Sequence, residues 1–465
     1  METDHHTRKV NKNLLLTIVI LTSLVNPFMG SAVNIALPEI SKEFSLNAVT
    51  MSWIAMSFLI SSSVFLLPLG KLADIVGRKK IFLIGNILVT ISSLLCAVSN
   101  SGSTLILSRV FLGIGSAMMF GTGMAIVTSV FPPNERGKAL GINVTSVYIG
   151  LSAAPVIGGL IIQSFGWRSL FLVPVPVGLT VIAIMLTAVK TDWAEAKHDK
   201  FDYKGSIVYM ISMFILMYGF SKLPDVHAII MTFLGIVGLV LFIRIELVAN
   251  YPLLNIKLFS HNRVFAFSNL AALINYATTF AITFILSLYL QYVKGLKPSE
   301  TGLMLVTQPA VMAVVASFSG KMSDKYDPRI LSSLGMSIIT CGLVLLGFLS
   351  NETSESYIIA CLLVLGVGFG LFTSPNTNSV MGSVEKKYLG IASATVSTMR
   401  LTGQMMSMGI ATLIIHIFIG DSKISSENLN RFLQSSTIIF FVFTILCIVG
   451  VFASLARGKR IPNGS

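Results

Sequence analysis

The chain has 465 residues, 54% of them hydrophobic and 11% charged, with a formal net charge of +13. A soluble chain carries about 25% charged residues to cover its surface. This composition therefore excludes a water-soluble enzyme, a nucleic-acid binder and a disordered chain, and requires lipid as the main solvent.

Apolar stretches of bilayer-spanning length recur between short polar breaks. In chain order, spans are predicted near 14–38, 50–69, 81–98, 104–130, 140–163, 169–189, 205–221, 227–245, 264–291, 299–319, 330–349, 356–380, 388–418 and 434–456. The first apolar run is too long for a signal-peptide core and has no clear small-residue cleavage site, so it is read as a retained span. Fourteen spans place both termini on one side. The positive-inside rule then decides which side. Of the 33 Lys and Arg residues, 24 fall in the segments on the terminal side and 7 in the opposite loops, leaving Arg109 and Arg400 within spans. The split predicts cytoplasmic termini in a multi-pass plasma-membrane protein. It also explains the basic balance by topology and the anionic inner leaflet. Cys96, Cys341, Cys361 and Cys447 lie in apolar runs without CxxC spacing, so neither a disulfide framework nor a metal site is supported.

An internal repeat appears at a spacing of 250 residues. Gly70-Lys71-Leu72-Ala73-Asp74 matches Gly320-Lys321-Met322-Ser323-Asp324, and Glu135-Arg136 matches Glu385-Lys386 at the same offset. Repeated halves with a site between them near mid-membrane are a common transporter construction. The expected fold is all-α and integral to the membrane. It has a six-helix bundle over 1–189, a linker with two inserted helices over 190–263, and a second six-helix bundle over 264–465.

The loop from Gly70 to Lys80 carries Asp74, Gly77, Arg78 and Lys79. It reads as a tight turn between two helices, with glycines for close backbone approach and Asp74 able to pair with Arg78 or to face a helix N-terminus. The fifth span carries Gly141, Gly150, Ala154, Pro155, Gly158 and Gly159. Small residues there permit close helix packing, and Pro155 removes a backbone hydrogen bond. These two patterns resemble, respectively, the cytoplasmic signature and the antiporter motif of the major facilitator superfamily. Asn34-Ile-Ala-Leu-Pro38, Trp53, Arg109-Val-Phe-Leu-Gly113, Phe165-Gly-Trp-Arg168, Tyr289-Leu-Gln-Tyr-Val-Lys-Gly295 and Pro298-x3-Gly302 resemble its fourteen-helix drug:proton antiporter branch, which includes multidrug, antiseptic and tetracycline exporters. The resemblance covers nearly the whole chain. It implies that the Gly70 loop, with its degenerate copy at Gly320 and Asp324, latches the two halves in one state of a transport cycle. The departure is Ala154, where the antiporter motif has glycine.

A central arginine costs roughly 2.5–3.5 kcal/mol on insertion scales, so Arg109 should face the interior or a water-filled cavity unless it snorkels outward. The resemblance implies proton handling or charge pairing for Arg109, and Arg400 shares the ambiguity. None of the 20 carboxylates falls deep within a predicted span. Exporters of dicationic antiseptics carry an acid in span one, where this chain has Met29. The expected cavity residues are instead neutral or aromatic: Asn26, Met29, Asn34, Tyr148, Asn275, Tyr276, Phe280, Gln308, Phe372 and Asn376. Plain helix packing is the alternative for each.

The expectation is a secondary-active, proton-coupled exporter of amphipathic small molecules, working as a monomer in the bilayer with no cofactor. An importer or facilitator of a small metabolite or organic anion is the alternative. No phosphate-binding GxxxxGK[ST] loop occurs. The six His are scattered and no Asp-rich cluster is present, which argues against a lipid-modifying membrane enzyme.

Overall fold

The computed structural model describes residues 11–194, 196–197, 199–254, 256–384, 389–420 and 422–458. Among them, fourteen helices are long and apolar enough to cross a membrane. In chain order the main helices of these spans are α1 Lys12–Phe44, α2 Ala48–Val76, α3 Arg78–Ala97, α4 Gly102–Val130, α5 Pro133–Phe165, α6 Pro174–Thr187 (its span beginning at Trp167) and α7 Tyr203–Lys222. They continue as α8 Val226–Val248, α9 Arg263–Leu288, α10 Thr307–Lys325, α11 Pro328–Leu346, α12 Glu355–Gly382, α13 Leu389–Ile419 and α14 Leu429–Leu455. The fourteen-span, all-α expectation is met. An even count puts Lys12 and Leu455 at one end of the molecule, together with Gly77; we call this the Gly77 end, and the other the Phe44 end.

Local sequence sets the helix starts. Asn47, Asp202 and Asn262 each accept a backbone N–H from the first turn that follows them. Ser101 and Thr104 do so reciprocally at α4. Such caps satisfy amide groups that a helix leaves unpaired.

Several boundaries differ from the hydropathy reading. Helices α1, α2 and α5 run well past their apolar runs, because hydropathy marks the bilayer and not the point where the backbone breaks. The predicted tenth span is two helices, Pro298–Leu305 and α10, meeting at Val306. The ninth ends in a π turn over Tyr289–Val293, and a single turn, Trp167–Leu170, precedes α6.

Helices α1 to α6 pack mainly on one another, as do α9 to α14. The two groups meet along α2 with α13, and along α5 with the half-helix Pro298–Leu305. Helices α7 and α8 form a hairpin held by small residues: Gly219 lies against Ala228, Gly235 against Leu216, and Gly238 against Ser212. Helix α7 touches α2 and α13, with the Tyr209 hydroxyl donating to the Ser63 carbonyl at 3.2 Å. Helix α8 turns Ile229, Phe233, Leu234, Val237 and Leu241 outward, toward lipid.

Candidate functional site

The turn expected over Gly70–Lys80 is narrower than the sequence reading. Residues up to Val76 are helical, and the chain reverses at Gly77 alone, where φ is 129°. A side chain is strained in that region. Gly70 packs its α-carbon toward Gly121 on α4. Arg78 Nε donates to Asp74 Oδ1 at 2.7 Å, and its Nη1 donates to Ser129 Oγ on α4 at 2.5 Å.

What grips this turn, among the described residues, is the linker that follows α6. Arg78 N donates to Trp193 O at 2.8 Å and Ala196 N to Asp74 O at 2.9 Å. Lys79 N donates to Asp192 Oδ1 at 2.8 Å, Lys79 Nζ to Val189 O, and Lys71 Nζ to Asp199 Oδ2 at 2.7 Å. The Asp192 carboxylate sits directly over Gly77, where a β-carbon would fall 2.3 Å from Oδ2. Of the degenerate copy, Gly320 lies against Ser374 of α12. The Asp324 side chain, Glu385 and Lys386 lie outside the described residues, as does the Arg136 side chain.

The α5 glycines divide by position. A β-carbon on Gly141 would meet nothing within 4 Å among the described residues. A β-carbon on Gly150 would lie 2.3 Å from the Leu24 carbonyl of α1, and one on Gly158 2.9 Å from the Ala32 side chain. A β-carbon on Gly159 would lie 2.4 Å from the Pro298 carbonyl oxygen, and one on Gly302 2.0 Å from the Pro155 carbonyl oxygen. Backbone therefore meets backbone between α5 and the half-helix. Ser299 Oγ donates to Gln163 close by. Ser287 Oγ donates to Asn34 O at 2.8 Å, and Gln291 Nε2 to Ile35 O at 3.1 Å. The contacts at Gly159, Gly302, Ser299, Ser287 and Gln291, which join the two groups, close the Phe44 end. There, Glu43 accepts from Trp167 and Arg168, and Arg168 also donates to Ser99 O, which accounts for the Phe165-Gly-Trp-Arg168 stretch.

A cavity lies nearer the Gly77 end, between α1, α4, α5 and α13. Thr22, Ser23, Asn26, Met119, Phe120, Met124, Asn143, Tyr148, Ser397 and Arg400 line it. Its volume is about 80 Å³, against the ~300–1000 Å³ a drug-sized solute needs. The helices must part to admit one.

Of the residues expected at the cavity, Asn26 and Tyr148 line it, and Tyr276 stands beside Arg400. Met29, Asn34, Asn275, Phe372 and Asn376 are buried elsewhere in helix packing. Phe280 packs on the core, and Gln308 meets Gly366 through its backbone. The sequence reading passed over Thr22, Ser23 and Asn143. A signal was present, because Thr22, Ser23 and Asn26 form a polar stripe at helical spacing in an otherwise apolar helix.

Met29 is 1% exposed and belongs to the apolar packing of α1. An acid there would be buried in apolar packing, which penalises its charge. Met29→Asp is therefore expected to lower the yield of folded protein without shifting cargo preference toward cations. Normal yield with a gain of dication transport would contradict this placement.

Arg109 does not snorkel. It is fully buried, and its three guanidinium nitrogens have no hydrogen-bond partner among the described residues. The rings of Phe58 and Phe171 lie 5.3 Å and 6.0 Å from its Cζ, a cation–π clasp inside the first six helices. Glu246 is buried at the α7–α8 hairpin, where its Oε2 accepts from Leu254 N at 2.9 Å. It is not among the cavity-lining residues.

Among solved structures, the fold is similar to a bacterial homologue of the human lysosomal transporter Spinster in an inward-facing, unoccupied conformation. The TM-score is 0.70 at 16% identity, covering 96% of this chain and 97% of that one. The sequence is 28% identical over 447 residues to the riboflavin transporter RibZ of Clostridioides difficile, covering 95% of this chain and 96% of the relative. It is 28% identical over 409 residues to the multidrug resistance protein Stp of Mycobacterium tuberculosis, covering 86% and 76% respectively. The profile of the Major Facilitator Superfamily matches residues 19–408 and 268–464. The chain thus belongs to the Major Facilitator Superfamily and is a membrane transporter of small molecules, not an enzyme.

Proposed function

We propose that the chain is a proton-coupled exporter of amphipathic small molecules that works by alternating access. In this reading it is a functional monomer of the plasma membrane with the Gly77 end in the cytoplasm. The two bundles, 1–189 and 264–465, rock against each other, and 190–263 contributes the inserted hairpin. The observation that carries the proposal is the unequal closure of the two ends. Backbone contacts at Gly159 and Gly302 seal the Phe44 end, while the polar cavity lies in the other half. That arrangement suits a state ready to load from the Gly77 end. In the same reading Asp74, Gly77, Arg78 and Lys79 regulate the cycle by holding the linker, and Arg109 takes part in proton handling.

The test is transport in vesicles with an imposed pH gradient. Solute-dependent proton movement is expected; transport of amphiphiles with no proton movement would remove the coupling. Orientation has its own check. In a background lacking the native cysteines, Ser354→Cys and Lys200→Cys should label from opposite faces, with Lys200→Cys reacting from the cytoplasm. Labelling from one face would overturn the topology.

A second reading is a facilitator or importer. It is favoured by a cavity whose described lining holds an arginine and no carboxylate. It predicts solute movement independent of pH.

A further inference from the structure

The cavity has one formally charged lining residue, Arg400, and the others are neutral. Arg400 projects from α13 to the place where the two helix groups face each other. Phe120 of α4 lies under it, with the ring centroid 5.6 Å from Cζ. Tyr148 of α5, Tyr276 of α9 and Thr373 of α12 gather round it. None of the salt bridges among the described residues involves Arg400. Those that are present lie at the two ends of the helices.

Arg400 differs from Arg109 in what it can reach. Arg109 is enclosed by two rings and is not among the residues lining this cavity. Arg400 is half-buried and lines the cavity. An aromatic ring holds a guanidinium by its face and uses none of its N–H donors. The Tyr276 hydroxyl accepts from the guanidinium, and the donors that remain belong to a planar fork that matches an oxyanion. A lone guanidinium at this depth is unfavourable without a counter-charge, and the described residues offer none.

We propose that Arg400 is the anchor for the oxyanion head group (a carboxylate, sulfonate or phosphate ester) of an amphipathic solute. The hydroxyls of Tyr148 and Tyr276 complete the polar end of its site, and Met119, Phe120 and Met124 receive the apolar body. The inference rests on the transporter reading above and narrows its cargo to anions. It makes cations the disfavoured class, because a cation entering the cavity meets like charge and no carboxylate.

The test uses the full chain and two sets of fluorescent probes. Each set carries one body with three charges: dansylglycine, dansylamide and dansylcadaverine, then pyrenebutyrate, pyrenemethanol and pyrenemethylamine. Binding is titrated in detergent, and uptake is followed in phosphatidylcholine vesicles. On both bodies the anion is expected to bind about tenfold tighter than the neutral or cationic member. Arg400→Gln should weaken the anion about tenfold or more and the neutral probe less than about twofold, whereas Arg400→Lys keeps most of the preference. The wild-type ranking decides the matter even where a variant fails to fold. A cation that binds as well as the anion overturns the proposal, as does an Arg400→Gln protein with unchanged anion affinity. Repeating the titration with phosphatidylglycerol present separates the two sources of an oxyanion. Competition identifies a lipid head group as an occupant of the same site, and its absence leaves the soluble anion. If probes are carried regardless of charge, this inference alone fails. If none binds or moves, the broader reading falls with it.

Discussion

Gly302→Ala is expected to open the Phe44 end of the molecule and to cut transport severely. The new β-carbon would lie 2.0 Å from the Pro155 carbonyl oxygen. That oxygen is backbone, so no rotamer change makes room. Overpacking of this kind costs about 1–3 kcal/mol. Because only the state with α5 against the half-helix contains the contact, the whole cost falls on that state. A free-energy difference of this size shifts a two-state population by about 5–150-fold. Ser287→Cys reports the shift, since Ser287 is buried against Asn34 when the end is closed. Its reaction with a membrane-impermeant maleimide should rise at least about fivefold when Gly302→Ala is added. Unchanged labelling together with parental turnover would show that the contact yields easily and that the seal lies elsewhere. Gly141→Ala is the internal control, because a β-carbon there meets no neighbour among the described residues.

Gly77→Ala is the second large effect. At φ 129° a side chain costs about 1–3 kcal/mol of backbone strain. The methyl group would also drive into the Asp192 carboxylate, 2.3 Å away. Both penalties act on the docked linker. Lys197 and Lys200 are already exposed on the docked linker; release frees the backbone around them to enter a protease, so limited trypsin cleavage of 190–202 is expected to speed up about tenfold. Transport should slow at the same time. Asp192→Gly separates the two causes, because it removes the collision partner and keeps the native glycine turn. Its Lys79 N–H loses a partner, so a milder release is expected. If Gly77→Ala is cleaved and transports like the parent, the linker contact is incidental.

The fold was legible because a bilayer imposes one simple rule. Every span must be apolar for about 20 residues and must satisfy its own backbone. Fourteen such stretches could be counted from hydropathy alone, and the structure has fourteen such helices. Helix ends were not legible by that signal. Helix α2 continues to Val76 because nothing before Gly77 breaks it, and Lys71 and Asp74 are polar residues on an uninterrupted helix. The cavity was harder to read. Asn34, Asn275 and Asn376 are polar residues in spans, yet they are buried away from it. Which face of a helix turns inward depends on neighbours distant in sequence. The grip of Asp192 on the Gly77 turn was invisible for the same reason, since the two are joined only by the return of the chain after α6.

The inserted hairpin has a consequence for solutes that travel in the lipid. The two helix groups meet most extensively along two lines, α2 with α13 and α5 with the half-helix before α10, with a smaller contact between α1 and α9. Helix α7 lies on the first, with Phe220 against Gly409 of α13 and Tyr209 against Ser63 of α2. That line is sheathed, and α8 adds a further apolar layer outside it. Any gap that opens there during a rocking motion faces protein instead of acyl chains. A membrane-dissolved molecule approaching from the side is left with the α5 line, so the molecule has a front and a back in the plane of the bilayer.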